Sequence, residues 1–209
     1  MGDSAVRSKP TAAANRIRLF DVASGQGGYF TTKQARDCGF SRALLVHHVK
    51  SGRFLRARRG LYRLREYPSA PREDVLAAWM AVGGADVVVS HDSALELLGL
   101  SDVIPDAVHL TVPRSRRNLP SLPGVRVHTT SRPIPPSDRA VRNGIPLTTA
   151  TRSILDSAAA GTAAEQIEMA ITQAVDRGQA TQDELRQRAP ERGHRVATLV
   201  ANALDRLTT

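Results

Sequence analysis

The sequence is poor in cysteine, in long apolar runs and, over its first third, in acids. Cys38 is the only cysteine in 209 residues, so no intrachain disulfide forms and nothing points to an oxidising compartment. Its place before Gly39, at an expected helix end, reads as a small buried side chain. No apolar run approaches the roughly 18 residues that cross a bilayer, and Met1–Asn15 lacks the apolar core of a secretory leader. These absences lead to the expectation of a soluble, cytoplasmic protein without membrane association. There is no internal repeat, and compositional bias is confined to mild Ser and Pro enrichment over 131–137. Gly25-Gln-Gly-Gly28 is glycine-rich but lacks the Gly-Lys-Ser/Thr ending of a phosphate loop, so it reads as a turn. His109, His128 and His194 have neither i,i+4 partners nor Cys-x-x-Cys neighbours, the spacings that mark metal sites. The sequence therefore assigns no metal ligand, no cofactor and no catalytic residue.

The scarcity of acid is local. Residues 1–72 carry 15 Lys and Arg against 4 Asp and Glu, a net of +11, whereas residues 73–209 carry 14 against 16, a net of −2. Of the 29 cations 26 are Arg, but a bias in codon usage would spread them evenly. A basic module followed by a near-neutral one suggests that one half meets a polyanion and the other something else. A hydrophobic fraction of 41% with 23% charged residues is that of a globular chain, long enough for one large or two small domains.

Punctuation by Gly, Ser and Thr divides the chain into elements. Met1–Ala14 is small and polar and reads as a tail. Arg16–Ser24 reads as a short helix with Ile17, Phe20, Val22 and Ala23 on its apolar face. Tyr29-Phe30 is extended, Thr31 or Thr32 caps a helix through Cys38, and Ser41 caps a second over Arg42–Ser51. Two helices joined by a short Gly-containing turn have helix-turn-helix spacing. In the second, Leu44, Leu45, His48 and Val49 fall on the core side, and Arg42, Val46, His47 and Lys50 on the other. Two strands around Arg58-Arg59-Gly60 then form a hairpin in the position of a wing.

Beyond Pro71, Arg72–Val82 reads as a helix, Asp86–Val89 as a buried strand, and His91–Leu98 as a helix capped by Ser90 and ended by Gly99. Ala107–Val112 and Gly124–Thr130 alternate as strands. Ile145-Pro-Leu leads into a helix capped by Thr148 or Thr149 and running to about Ala159. Amphipathic helices over 163–177 and 192–207 flank a short one at 182–188. The expected fold is α+β: a winged helix-turn-helix over 15–72, then a mixed α/β domain over 73–209.

Gly-Tyr-Phe-Thr-Thr-Lys-Gln-Ala at 28–35, Gly-Leu-Tyr-Arg-Leu at 60–64, Ser-His-Asp-Ser-Ala-Leu-Glu-Leu-Leu-Gly-Leu at 90–100 and Gly-Ile-Pro-Leu-Thr-Thr-Ala-Thr-Arg-Ser-Ile-Leu-Asp at 144–156 together resemble the AbiEi-type antitoxins of type IV toxin–antitoxin systems. The resemblance covers residues 25–190. It implies a winged helix that represses its own operon and a C-terminal domain that neutralises a nucleotidyltransferase-like toxin. Cognate toxin and operator DNA are the implied partners, with a homo-oligomer on DNA as a further expectation.

Within that reading, phosphate contacts fall to Arg56, Arg58, Arg59, Arg63 and the helix start at Ser41. Base contacts fall to Arg42, His47 and Lys50. Arg114, Arg116 and Arg117 are candidates for contact with an acidic toxin surface or further DNA. Ser90-His91-Asp92 has the residue types of a hydrolase triad, but adjacent positions on a first helical turn point apart, so an N-cap followed by an acid is expected. Arg152 and Asp156 are spaced for a local ion pair. Two alternatives stand: a stand-alone regulator, and an antitoxin that inactivates its toxin enzymatically, for instance by phosphorylating an active-site serine. For the latter, Asp86, Asp92, Asp102 and Asp106 are the carboxylates to test.

Overall fold

A computed structural model describes residues 12–207, which divide into two units after Ala81. Residues 1–11 of the expected tail lie outside the described residues, and its last three, 12–14, belong instead to the first helix, α1 (Ala12–Ser24). It leads to β1 (Tyr29–Thr31), α2 (Thr32–Asp37), α3 (Arg42–Lys50), β2 (Phe54–Arg58), β3 (Leu61–Leu64) and α4 (Glu73–Val82).

The helix starts follow from local chemistry. Thr31 caps α2 through a reciprocal box: its hydroxyl accepts from the Gln34 amide at 3.2 Å, and the Gln34 carbonyl oxygen accepts from the Thr31 amide at 2.8 Å. Gln34 also donates to Gln26 Oε1 at 2.9 Å, and Gln26 donates to Val22 O and Tyr29 O. One pair of amides thus fixes where α1 ends and α2 begins. Ser41 caps α3 through the Leu44 amide at 3.2 Å.

Strands β1 and β2 flank β3, both antiparallel to it. Because side chains alternate across a strand, Phe30, Tyr62, Phe54 and Leu64 share one face and Tyr29, Leu61 and Arg63 the other. The first face closes over Leu19, Ala23, Ala35, Phe40 and Leu45, with the Phe30 and Phe54 rings edge-on at 5.0 Å. The buried, free Cys38 lies in this core. The second face is covered by α4 through Ala77 and Met80. The helix expected to open the second domain therefore packs within the first unit.

Two sequence expectations for core faces are corrected here. Leu19 and Ala23 form the buried stripe of α1, while Ile17 and Phe20 are 63% and 56% exposed. They border a cavity of about 510 Å³ that Phe40, Phe54 and Leu64 also line. On α3 the inward pair is Leu45 and His48, three residues apart on one face, and Leu44 turns outward.

The second unit contains a five-stranded sheet. In chain order come β4 (Val88–Val89), α5 (His91–Leu98), β5 (Val108–Pro113), β6 (Val125–Thr130), β7 (Arg139–Arg142), β8 (Ile145–Thr148), α6 (Ala150–Ala160), α7 (Ala164–Asp176), α8 (Gln182–Arg188) and α9 (His194–Leu207). The strand order is β6-β5-β4-β8-β7. β5–β6 and β4–β8 pair in parallel, β4–β5 and β7–β8 antiparallel. Strand β7, short and charged, was not anticipated. Gly99 at φ 71° ends α5 in the left-handed region, where a β-carbon is unfavourable.

Helical periodicity builds the core. Ile167, Ala170, Ile171 and Ala174 on α7 and Val196, Val200, Ala203 and Leu204 on α9 recur at three- and four-residue steps. They enclose Leu95, Leu100, Ile154, Leu155 and Leu185.

Candidate nucleic-acid interface and a histidine cluster

The α3 and wing cations divide sharply by burial. Arg42, His47 and Lys50 on α3 are exposed, as are Arg56 and Arg59 on the wing; Arg58 is half-buried. Gly60 turns the wing at φ 76°, a conformation glycine adopts without strain. The register slips between Arg56 and Arg58, a bulge that adds twist to the strand just before its tip. Ser41 is exposed at the start of α3, where unpaired backbone amides and the helix dipole favour an anion.

Arg63 does not join this array. It lies on the sheet face covered by α4 and is only 7% exposed. Its guanidinium donates to Glu73 Oε2 at 3.1 Å and Ser69 Oγ at 3.3 Å, and it sits over the Tyr29 ring at 5.7 Å. This corrects the expected phosphate contact: period-two alternation of β3 puts Arg63 on the same inward face as Leu61, and Glu73 supplies the acid that such an arginine needs.

The loop arginines of the second unit divide in the same way. Arg114 and Arg117 are exposed. Arg116 is drawn back to donate to the carbonyls of Val82, at 2.7 Å, and Gly83. It is an anchor for the backbone at 82–84 and is removed from the set of candidate partner contacts.

Two neighbourhoods in the second unit concentrate polar chemistry. In one, Asp138 Oδ2 accepts from Arg152 at 3.1 Å and Arg188 at 2.8 Å, while Asp156 accepts from Arg152 at 2.6 Å and Arg192 at 2.9 Å. The i,i+4 pair expected on α6 is therefore part of a network reaching α8 and the turn after it. Burial pushes the Asp138 carboxyl up, but hydrogen bonds and charge from Arg188 and Arg152 outweigh it and hold the group below its ordinary value.

In the other, parallel pairing of β5 with β6 sets His109 beside Arg126 and Thr111 beside His128. His109 and His128 become diagonal neighbours on one face, with His109 Nδ1 3.3 Å from His128 Nε2. His91 opens α5 at φ 53°, a left-handed conformation uncommon for a residue with a β-carbon. Its ring stacks on His128 with centroids 3.6 Å apart. Burial first, then the neighbouring imidazoles and arginines, lower His91 to about 2. Burial, His109 and Arg126 lower His128 to about 4. Burial also lowers His109, against the opposing charges of Asp92 and Asp106. Each shift favours the neutral imidazole.

Ser90 occupies the N-cap position of α5, yet its hydroxyl makes no capping bond. It accepts from Thr111 Oγ1 at 2.8 Å and lies 2.9 Å from His91 Nδ1. Asp92 accepts from Thr162 at 2.7 Å and Ser90 is fully buried, so the Ser-His-Asp run does not assemble as a hydrolase triad. Asp106 pairs with Arg126 at 3.0 Å, and Asp86 and Asp102 are exposed. Among the described residues, the only group of three or more side chains suited to a metal is His91, His109 and His128. His109 and His128 meet through the register of β5 against β6 and His91 joins them from the start of α5, so no local spacing announced them.

With two helices in helix-turn-helix order followed by a wing hairpin, the first unit has the fold of a winged helix. Residues 18–65 match the family described as "Transcriptional regulator, AbiEi antitoxin", the family the sequence resembles. Over 94% of its length the chain is similar in fold to the crystal structure of the RV2827C protein from Mycobacterium tuberculosis, with a TM-score of 0.60 at 16% identity and 78% of that chain covered. No curated protein matches in sequence. Among the described residues, no helix is long and apolar enough to cross a membrane.

Proposed function

We propose that this chain is the antitoxin of a type IV-like toxin–antitoxin system. Its first unit binds its own operator and represses transcription, and the chain opposes a nucleotidyltransferase-like toxin. The observation that carries the reading is the exposed cationic face of α3 and the wing, within a segment matching an antitoxin regulator family. In this reading α3 enters the major groove, and Arg42, His47 and Lys50 meet base edges. Arg56, Arg58, Arg59 and the α3 N-terminus at Ser41 hold phosphates. Arg114 and Arg117 offer exposed charge to an acidic toxin surface. Operator repeats would seat two copies, one per half-site.

The experiment is fluorescence anisotropy with the chain's own upstream region over a range of salt, joined to co-expression with the adjacent open reading frame. Tight, salt-dependent binding and rescue from a toxic neighbour are expected. Binding without rescue leaves a stand-alone regulator. Rescue accompanied by a mass change on the neighbour, dependent on ATP, replaces neutralisation by contact with covalent modification.

A further inference from the structure

We infer that His91, His109 and His128 form a binding site for one divalent transition-metal ion, zinc in the first instance. The inference is independent of the proposed DNA and toxin roles, neither of which uses these residues.

Geometry is the first support. One nitrogen from each ring lies within 4.8 Å of the others, and His109 Nδ1 and His128 Nε2 are 3.3 Å apart. Two imidazole nitrogens on one tetrahedral zinc, each about 2.0–2.1 Å from the ion, stand about 3.3 Å apart. The same distance is long for an N–H···N hydrogen bond, so the pair is spaced better for a shared cation than for each other. The third ring, His91, is stacked on His128. Tilting the two rings about their terminal torsions, which are soft, fans their lone pairs onto a common point.

The surroundings are those of oriented ligands. A metal-bound histidine generally gives its second ring nitrogen to an acceptor, which fixes tautomer and orientation. Ser90 Oγ is 2.9 Å from His91 Nδ1, leaving Nε2 for the ion. Asp106 Oδ1 is 3.9 Å from His109 Nε2, a buried nitrogen without a hydrogen-bond partner. Ligation through Nδ1 places the remaining proton on Nε2, facing that carboxylate. The nearest arginines are already engaged, Arg152 and Arg192 with Asp156 and Arg126 with Asp106, which blunts their repulsion of a cation. Three imidazole nitrogen donors suit zinc and leave one position for water or a further ligand.

The test uses the full chain without a polyhistidine tag, stripped with chelator and titrated with Co(II), then with Zn(II). One equivalent of Co(II) is expected to give the visible bands of a four-coordinate ion, and one equivalent of zinc to displace it. His109→Asn and His128→Asn should each abolish the bands, and His194→Asn, on exposed α9 surface, should leave them intact. Should either variant lose its fold, long-range nitrogen–proton NMR of the wild-type imidazoles decides. Zinc should then shift one nitrogen in each of His91, His109 and His128 and leave His47 and His194 unmoved. Absence of a saturable one-equivalent Co(II) spectrum overturns the site. So does a spectrum that survives in folded His109→Asn and His128→Asn, or zinc shifts confined to other histidines.

Discussion

The two units use arginine in opposite ways. In the second, Arg126, Arg152, Arg186, Arg188, Arg192 and Arg206 lie on carboxylates, and Arg116, Arg139, Arg177 and Arg195 donate to backbone carbonyls. In the first, Arg42, Arg56, Arg59 and Lys50 stand exposed on one helix and one hairpin. Others in the same unit are engaged: Arg63 is turned onto Glu73, Arg65 donates to the Gly52 carbonyl and Lys33 pairs with Asp37. A guanidinium committed to a buried carboxylate contributes to a fold, whereas one surrounded by water is available to a phosphate. Net charge alone shows a basic half and a neutral half. The contacts show why the neutral half is also structurally committed.

The sharpest way to break the comparison is to remove a carboxylate from the committed half. Asp138→Ala leaves Arg152 and Arg188 half-buried without their shared acceptor. It should cost about 3–5 kcal/mol, read as a lower denaturant midpoint for the second unit, with DNA affinity unchanged. Equal losses of stability and DNA binding would erase the distinction. The same group fixes the acid behaviour. A carboxyl held below its ordinary 3.8 adds stability that is complete above that value and disappears as pH falls through the lower folded-state value. The stability difference between wild type and Asp138→Asn should therefore shrink from pH 6 to pH 3.

Next in size is Arg63→Met, which keeps the buried stem and deletes the charge. A loss of about 1–2 kcal/mol in the first unit is expected, from Glu73 left without its partner. The salt dependence of DNA binding should not change. A reduced salt slope would return Arg63 to the interface. Smallest is Arg117→Ala, an exposed side chain whose removal should shift stability by less than about 0.5 kcal/mol. A larger destabilisation would mean that this loop, like Arg116, is bound to the fold.

What the residues disclosed beforehand is instructive. The caps at Thr31 and Ser41, the Gly60 hairpin and the periodic helices of the second unit rest on local rules, and all were legible. The inward turn of Arg63 is also written locally, in the alternation from Leu61 along β3. Leu44 and Phe20 misled because an apolar side chain in a plausible helical phase need not face the core when Leu45, His48 and Leu19 already fill it. Strand β7 and the histidine cluster were hidden for different reasons. Strand β7 pairs only with its neighbour β8 across the two-residue turn Asn143-Gly144, a local hairpin signal masked by the strand's shortness and flanking arginines. The register of β5 against β6 that joins His109 to His128, by contrast, leaves no trace in either strand alone.

The proposed DNA contact assigns phosphate binding to the exposed wing arginines and not to those of the 114–117 loop. It is tested most directly by the slope of log affinity against log salt for Arg56→Gln/Arg59→Gln beside Arg114→Gln/Arg117→Gln. With each phosphate contact contributing about 0.9 to the slope, the wing double variant should flatten it by about 1.8, and the loop variant should leave it unchanged. Equal slopes in both variants and wild type would contradict the claim.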